Sequence, residues 1–140
     1  MNFIINGNPI SSKNSIRSGI TKDGRNYTYT VKAVKDYKDN ALKQLTVQAR
    51  DYLKDYIFDY GKTDLPIYLP IQVSFIFYCK DNRKRDLVNL CQLPCDLLQA
   101  AGIIQNDNLI KSLDGSRIMG VDKLNPRTEI TIYILNGKTN

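Results

Sequence analysis

The chain has 140 residues, 42% hydrophobic and 24% charged, one domain's worth of ordinary globular composition that excludes wholesale disorder. Twenty Lys and Arg against 14 Asp and Glu leave a net charge of +6, a mild cationic bias compatible with a polyanionic partner. There is no histidine, which excludes Ser-His-Asp and Cys-His catalysis, His-dependent zinc sites and an imidazole base; chemistry must run on carboxylates, lysine, hydroxyls or a metal held by oxygen.

Phe3, Ile4 and Ile5 before Gly7 and Pro9 read as a short strand ending in a turn. Ser11 to Asn26 is polar, with Lys13, Arg17, Lys22 and Arg25 among Ser, Gly and Asn, so residues 9–27 are expected to form a mobile basic loop or a loose hairpin. From about Val31 to Phe58 the pattern is helical: Val34, Tyr37, Ala41, Leu45 (with Leu42), Gln48, Tyr52 and Tyr56 lie near three- and four-residue spacing. Alternating Lys and Asp on the other side read as a solvated face. Gly61 to Pro70 is a connector.

Ile71 to Cys79 alternates at first and then becomes continuously apolar, which predicts a central strand. After the charged segment Lys80 to Asp86, a second helix is expected from about Leu87 to Ala101. Its stripe is Leu87, Leu90, Pro94, Leu97, Leu98 and Ala101, with Gly102 as its terminating glycine and Pro94 as a source of bending. Two strands follow, Leu109 to about Met119 and Thr128 to Leu135, separated by a turn at Asn125-Pro126. The order gives a single α+β domain over residues 1–140, a mixed sheet with two main helices.

The odd count of three cysteines, Cys79, Cys91 and Cys95, does not suit a disulfide framework, and no CxxC pair is present; they read as buried small hydrophobes. The first residues lack a basic n-region and a long apolar core, and no run approaches a bilayer span, so the expected location is cytoplasmic, with no membrane partner.

The chemistry concentrates in Arg83-Lys84-Arg85-Asp86-Leu87-Val88-Asn89-Leu90, at a strand-to-helix junction. Asp86 at the helix start is explained by capping alone, with the basic residues as a solvated loop. The functional alternative is an oxygen ligand for a hard cation beside a phosphate-binding rim, the combination that phosphodiester cleavage needs.

The stretch from Arg83 to Leu109 resembles the core of the RusA-type Holliday-junction resolvases, a family found in phages and prophages. The matching residues are Asp86, Asn89 and Leu90, then Asp96-Leu97-Leu98, Ala101-Gly102 and Asp107. Upstream, Pro9 with Lys13 and the region Tyr37 to Ala41 are similar to the family's first loop and helix, and Glu129 to Ile132 to its closing strand. The departures are specific. Val88 stands at the family's second metal-binding Asp, Gln92 at its catalytic lysine, and Asn106 at the first Asp of its turn pair.

The resemblance implies a RusA-like fold and a Mg²⁺-dependent (alternatively Mn²⁺-dependent), structure-specific endodeoxyribonuclease. It would act in DNA recombination and repair as a homodimer, resolving four-way junctions by attack of metal-activated water. Asp86 and Asp107 would hold the metal as catalytic residues; Lys13, Arg17, Lys80, Arg83, Lys84, Arg85 and Asn89 would contact DNA. Val cannot ligate a cation and Gln carries no charge for a developing phosphorane, so a second reading stays open. In it the chain is a catalytically impaired relative that binds branched DNA, or a protein partner, without efficient cleavage.

Helix geometry adds a constraint. From Asp86 to Ala101 a straight helix advances about 22 Å, and the six residues on to Asp107 reach at most roughly 20 Å. Either the chain runs almost straight back, or the helix is shorter or bent, or a second subunit donates Asp107. Asp96, about 15 Å along the axis from Asp86, is expected in a structural or interface role, and Glu129 in a cross-strand ion pair. Tyrosines could stack on unpaired bases, but packing explains those of the long helix.

Overall fold

A computed structural model describes residues 1–13, 15–60 and 64–135; of 56–60 it describes the backbone alone. The central strand is β4 (Ile71–Cys79), flanked on one side by β7 (Arg127–Ile134) and beyond it by β1 (Asn2–Asn6), both pairings antiparallel. On its other side β4 takes two short parallel partners in succession, β5 (Ile110–Ser112) near Ile71 and β6 (Arg117–Val121) from Ile76 onward. The sheet is therefore mixed, and two helices complete the α+β domain: α1 (Lys32–Tyr60) and α2 (Leu87–Ala100).

Side-chain alternation decides which face is buried. In β4, Ile71, Val73, Phe75, Phe77 and Cys79 all point into the core, so the alternation runs the whole strand rather than lapsing into a two-sided apolar run as the sequence suggested. Phe3 and Ile5 of β1 and Thr128, Ile130 and Ile132 of β7 continue the same face. Against it lie Ala41, Leu45 and Ala49 of α1 and Leu90, Leu93, Leu97 and Leu98 of α2. Within the expected α1 stripe, Val34 is also buried, and Tyr37, Leu42 and Tyr52 are half-buried; the side chain of Tyr56 lies outside the described residues.

One local expectation is corrected, and one alternative is resolved. Residues Leu109 to Met119 are not one strand: Asp107–Leu109 is a 3-10 turn, and a turn closed by the Ser116 N–H bond to Leu113 O, with Gly115 at φ +87°, divides β5 from β6. Within the basic loop, β2 (Ile16–Ile20) and β3 (Asn26–Thr30) pair antiparallel as a separate two-stranded sheet, so of the two conformations expected there it is the hairpin that forms. Pro94 sits buried inside α2, which continues unbroken past it to Ala100. Gly102, at φ +73°, then reverses the chain: its N–H bonds to Gln99 O, and that of Ile103 to Leu98 O.

Candidate nuclease site

Two adjoining clefts open around α2. The first, about 590 Å³, is lined by Lys80, Arg83, Lys84, Arg85, Asp86 and Asn89 together with Asn8, Ser11 and Ala33. The second, about 400 Å³, is lined by Ser12, Val88, Gln92, Asp96 and Asp107, with Cys91 and Cys95 on its wall. Successive residues Ser11 and Ser12 face one cleft each, so the segment after β1 marks the boundary between them.

The loop of the cationic cleft is organised around Asp81, which pairs with Arg85 and, at 3.5 Å, with Arg83. Arg85, with a side chain 15% exposed, bonds Asp81 Oδ1 at 2.6 Å through one terminal nitrogen, and the carbonyls of Asp81 and Arg83 at 3.0 Å through the other. Donation from Arg85 holds the Asp81 carboxyl below the usual carboxylate range. Arg85 is thus committed to shaping the loop. Arg83, with a side chain 82% exposed, Lys84 and Lys80 present the outward charge. Asn8, which the sequence reading passed over, ties the end of β1 to this loop by accepting the Lys80 N–H at 2.9 Å.

Asp86 is the N-cap of α2: it is extended, and Oδ1 accepts the Asn89 N–H at 3.1 Å. Capping uses one carboxylate oxygen, and no hydrogen bond from the described residues occupies the other. The cap and cation-ligand readings of Asp86 are therefore compatible.

The second cleft is acidic. After the reversal at Gly102 the Asp107 N–H donates to Gln99 Oε1 at 2.9 Å, which docks the 3-10 turn beside the C-terminal half of α2. Within one chain, then, Asp107 shares its cleft with Asp96, while Asp86 lines the other. Burial and the nearby Asp107 charge together push the Asp96 carboxyl up, and burial, with Cys91 and both carboxylates nearby, pushes the Cys95 thiol up to about 12. Asp96 is the residue whose place sequence reasoning missed; the signal available was the return of the chain at Gly102, which brings Asp107 to the later turns of α2.

Val88 and Gln92 line this same acidic cleft, one helical turn apart, and Val88 is 67% exposed. Two of the positions where the motif departs from the family pattern thus share a cleft with Asp107. Among the described residues no group of three or more acidic or cysteine side chains is arranged to hold a metal ion. The pair Asp96 and Asp107 still meets the chemical minimum for Mg²⁺, which keeps most of its waters and takes one or two carboxylates.

Of the remaining candidates, Lys13 is exposed on the segment leading into β2, its N–H bonded to Ser11 Oγ at 3.0 Å, and Arg17 is exposed within β2. Glu129 makes its ion pair within its own strand, to Arg127 at 3.1 Å, not across to a neighbour; Arg127 also binds Asp122 and stacks over the Tyr78 ring at 3.9 Å. Cys79, Cys91 and Cys95 are all free thiols, the first two buried and the third half-buried. No described helix is long and apolar enough to cross a membrane.

A cationic rim beside an acidic hollow, on a mixed sheet backed by two helices, is an arrangement suited to a phosphodiester and a divalent cation. The comparison with protein families agrees. The family described as endodeoxyribonuclease RusA matches residues 6–133, nearly the whole chain, and the chain belongs to that family. No curated protein matches it.

Proposed function

We propose that the chain is a divalent-cation-dependent, structure-specific endodeoxyribonuclease that cuts four-way or other branched DNA. The observation that carries this reading is the juxtaposition, across Ser11 and Ser12, of a cleft lined by Lys80, Arg83 and Lys84 with one lined by Asp96 and Asp107. The rim cations bind the phosphates flanking the scissile bond and make binding strongly salt-dependent. Arg85 acts by holding the loop through Asp81, and Asn89 anchors Asp86 at the head of α2.

Asp107, with Asp96 across the cleft, would hold Mg²⁺ or Mn²⁺; Asp86, about 15 Å from Asp96 along α2, would complete that site only from a second copy of the chain. When bound, the cation supplies Lewis-acid activation of water and neutralises charge on the phosphate oxygens. A homodimer would set two such sites symmetrically on opposing strands of a junction.

Exposed Val88 in the acidic cleft favours a second reading, in which the chain binds branched DNA, or a protein partner, and cleaves inefficiently. A junction-cleavage assay across Mg²⁺ and Mn²⁺ concentrations, with Asp107→Asn and Asp86→Asn alongside, separates the two. Cation-dependent nicking lost in both variants supports the nuclease; tight junction binding without nicking at any cation concentration supports the binder. Failure to bind junctions at all rejects both DNA readings.

A further inference from the structure

The β2–β3 hairpin pairs with no other strand among the described residues, and it carries exposed aromatic rings. Directly opposed residues of an antiparallel pair share a face. The register sets Arg17 against Tyr29 and Gly19 against Tyr27, so one face carries Arg17, Tyr27 and Tyr29 and nothing larger than a hydrogen at Gly19. Tyr27 and Tyr29 are 47% and 48% exposed, with ring centroids 5.9 Å apart.

Gly19 explains how Tyr27 lies. A Cβ built at Gly19 would come within 2.5–2.9 Å of the Tyr27 ring atoms and hydroxyl, so the ring lies down over the bare glycine backbone. That leaves its other side turned outward. The hairpin is rooted beside the clefts: Ser15 N–H bonds to Ser12 O, Val31 N–H bonds to Ser15 O, and Tyr29 is one residue from the root pair Ile16–Thr30. Between residues 13 and 25 stand four cations, Lys13, Arg17, Lys22 and Arg25, against one carboxylate, Asp23, which is itself paired to Arg25. Flat aromatic surface inside a cationic surround matches a nucleobase attached to a phosphate chain better than it matches an apolar peptide.

We infer that the Tyr27–Tyr29 face of this hairpin is a stacking platform for unpaired bases, which would recognise the opened centre of a branched DNA while the clefts hold its arms. In the setting of a junction this rests on the nuclease reading above; the capacity to hold unpaired bases does not.

The test uses the full chain and three DNA probes: a synthetic four-way junction with 2-aminopurine at the crossover, an oligo-dT strand, and a plain duplex. Tyr27→Leu with Tyr29→Leu keeps the apolar bulk and removes the π faces; Tyr27→Phe with Tyr29→Phe keeps the rings and removes the hydroxyls. The leucine pair should lose roughly ten-fold or more in affinity for oligo-dT and junction per stacked base. It should also abolish the 2-aminopurine fluorescence change and leave duplex binding alone, whereas the phenylalanine pair should behave as wild type.

A leucine pair that binds every probe like a wild type that nicks junctions overturns the platform and leaves the nuclease reading standing. A wild type that ignores junctions but holds oligo-dT through the two rings supports the platform and overturns the nuclease reading. A leucine pair that changes only the self-association of the chain also overturns the platform, in favour of a protein contact.

Discussion

Gln48 of α1 holds Ile4 of β1 by both of that residue's backbone groups: its Oε1 accepts the Ile4 N–H at 2.8 Å, and its Nε2 donates to the Ile4 carbonyl at 2.7 Å. Gln44 does the same for Asn6, at 2.7 and 3.0 Å. The spacing works because four helical residues rise about 6 Å and two strand residues about 6.8 Å. Since β1 is an edge of the sheet, two side-chain amides stand in for the missing neighbour strand. Gln48→Ala should lower unfolding stability by about 1 kcal/mol in urea titrations, and Gln44→Ala with Gln48→Ala should also promote self-association through the bared edge, read by sedimentation. A double variant that stays monomeric and keeps its urea midpoint would show the amides to be passive.

Asp86 caps α2, and under the proposed function it has a second task, which two substitutions separate from the first. Asparagine caps helices about as well as aspartate, so Asp86→Asn should keep the melting temperature while removing the carboxylate that the proposed nuclease would use. Asp86→Ala loses both and should cost a further 1 kcal/mol or so of stability. If Asp86→Asn cleaves junctions at the wild-type rate, Asp86 is a cap only.

The elements legible in the sequence were those whose evidence is local. Alternation marked Ile71 to Cys79, helical spacing marked α1 and α2, and Gly102 marked the end of α2, because each depends on residues within a few positions. For the basic segment the sequence left loop and hairpin both open, because its polar and basic residues dilute the strand pattern that Tyr27 and Tyr29 carry. Leu109 to Met119 reads as one strand only if the polar run Asp114 to Arg117 between its apolar ends is passed over; the Asp114-Gly115 turn divides it so that both halves can reach β4 in parallel. The site divides in the same way. The cationic rim is contiguous from Lys80 to Arg85 and was visible at once, whereas the meeting of Asp96 with Asp107 depends on how tightly the chain reverses after Ala101, which no spacing rule fixes.

The Asp81–Arg85 pair makes the cationic loop sensitive to acid. Because pairing lowers the folded-state pKa of Asp81, its contribution is present above the ordinary Asp range and is lost as pH falls through the lowered folded value. The stability difference between wild type and Asp81→Asn should therefore be widest at neutral pH and shrink as the solution is taken well below pH ~4, measured by denaturant titration at each pH. At neutral pH the variant should also weaken junction binding, since Arg85 would no longer hold Arg83 and Lys84 in place. A pH-independent difference would mean that the pair contributes through packing alone.

Val88 is the position at which the site is most open to improvement. It is exposed in the cleft that holds Asp96 and Asp107, one turn from Gln92, so Val88→Asp adds a third carboxylate facing the same space and Gln92→Lys adds a cation beside it. Without divalent cation the added charge repels its neighbours, and Val88→Asp should melt below wild type. With Mg²⁺ present its melting temperature should rise more than that of wild type, because a ligand bound only by the folded state stabilises it by mass action. Together the two substitutions should raise junction cleavage on the order of 10²-fold or more, the scale of a single transition-state charge contact. If neither wild type nor Val88→Asp gains Mg²⁺-dependent stabilisation, the cation is not held beside Asp107, and Asp86 becomes the acidic group around which the site must be built.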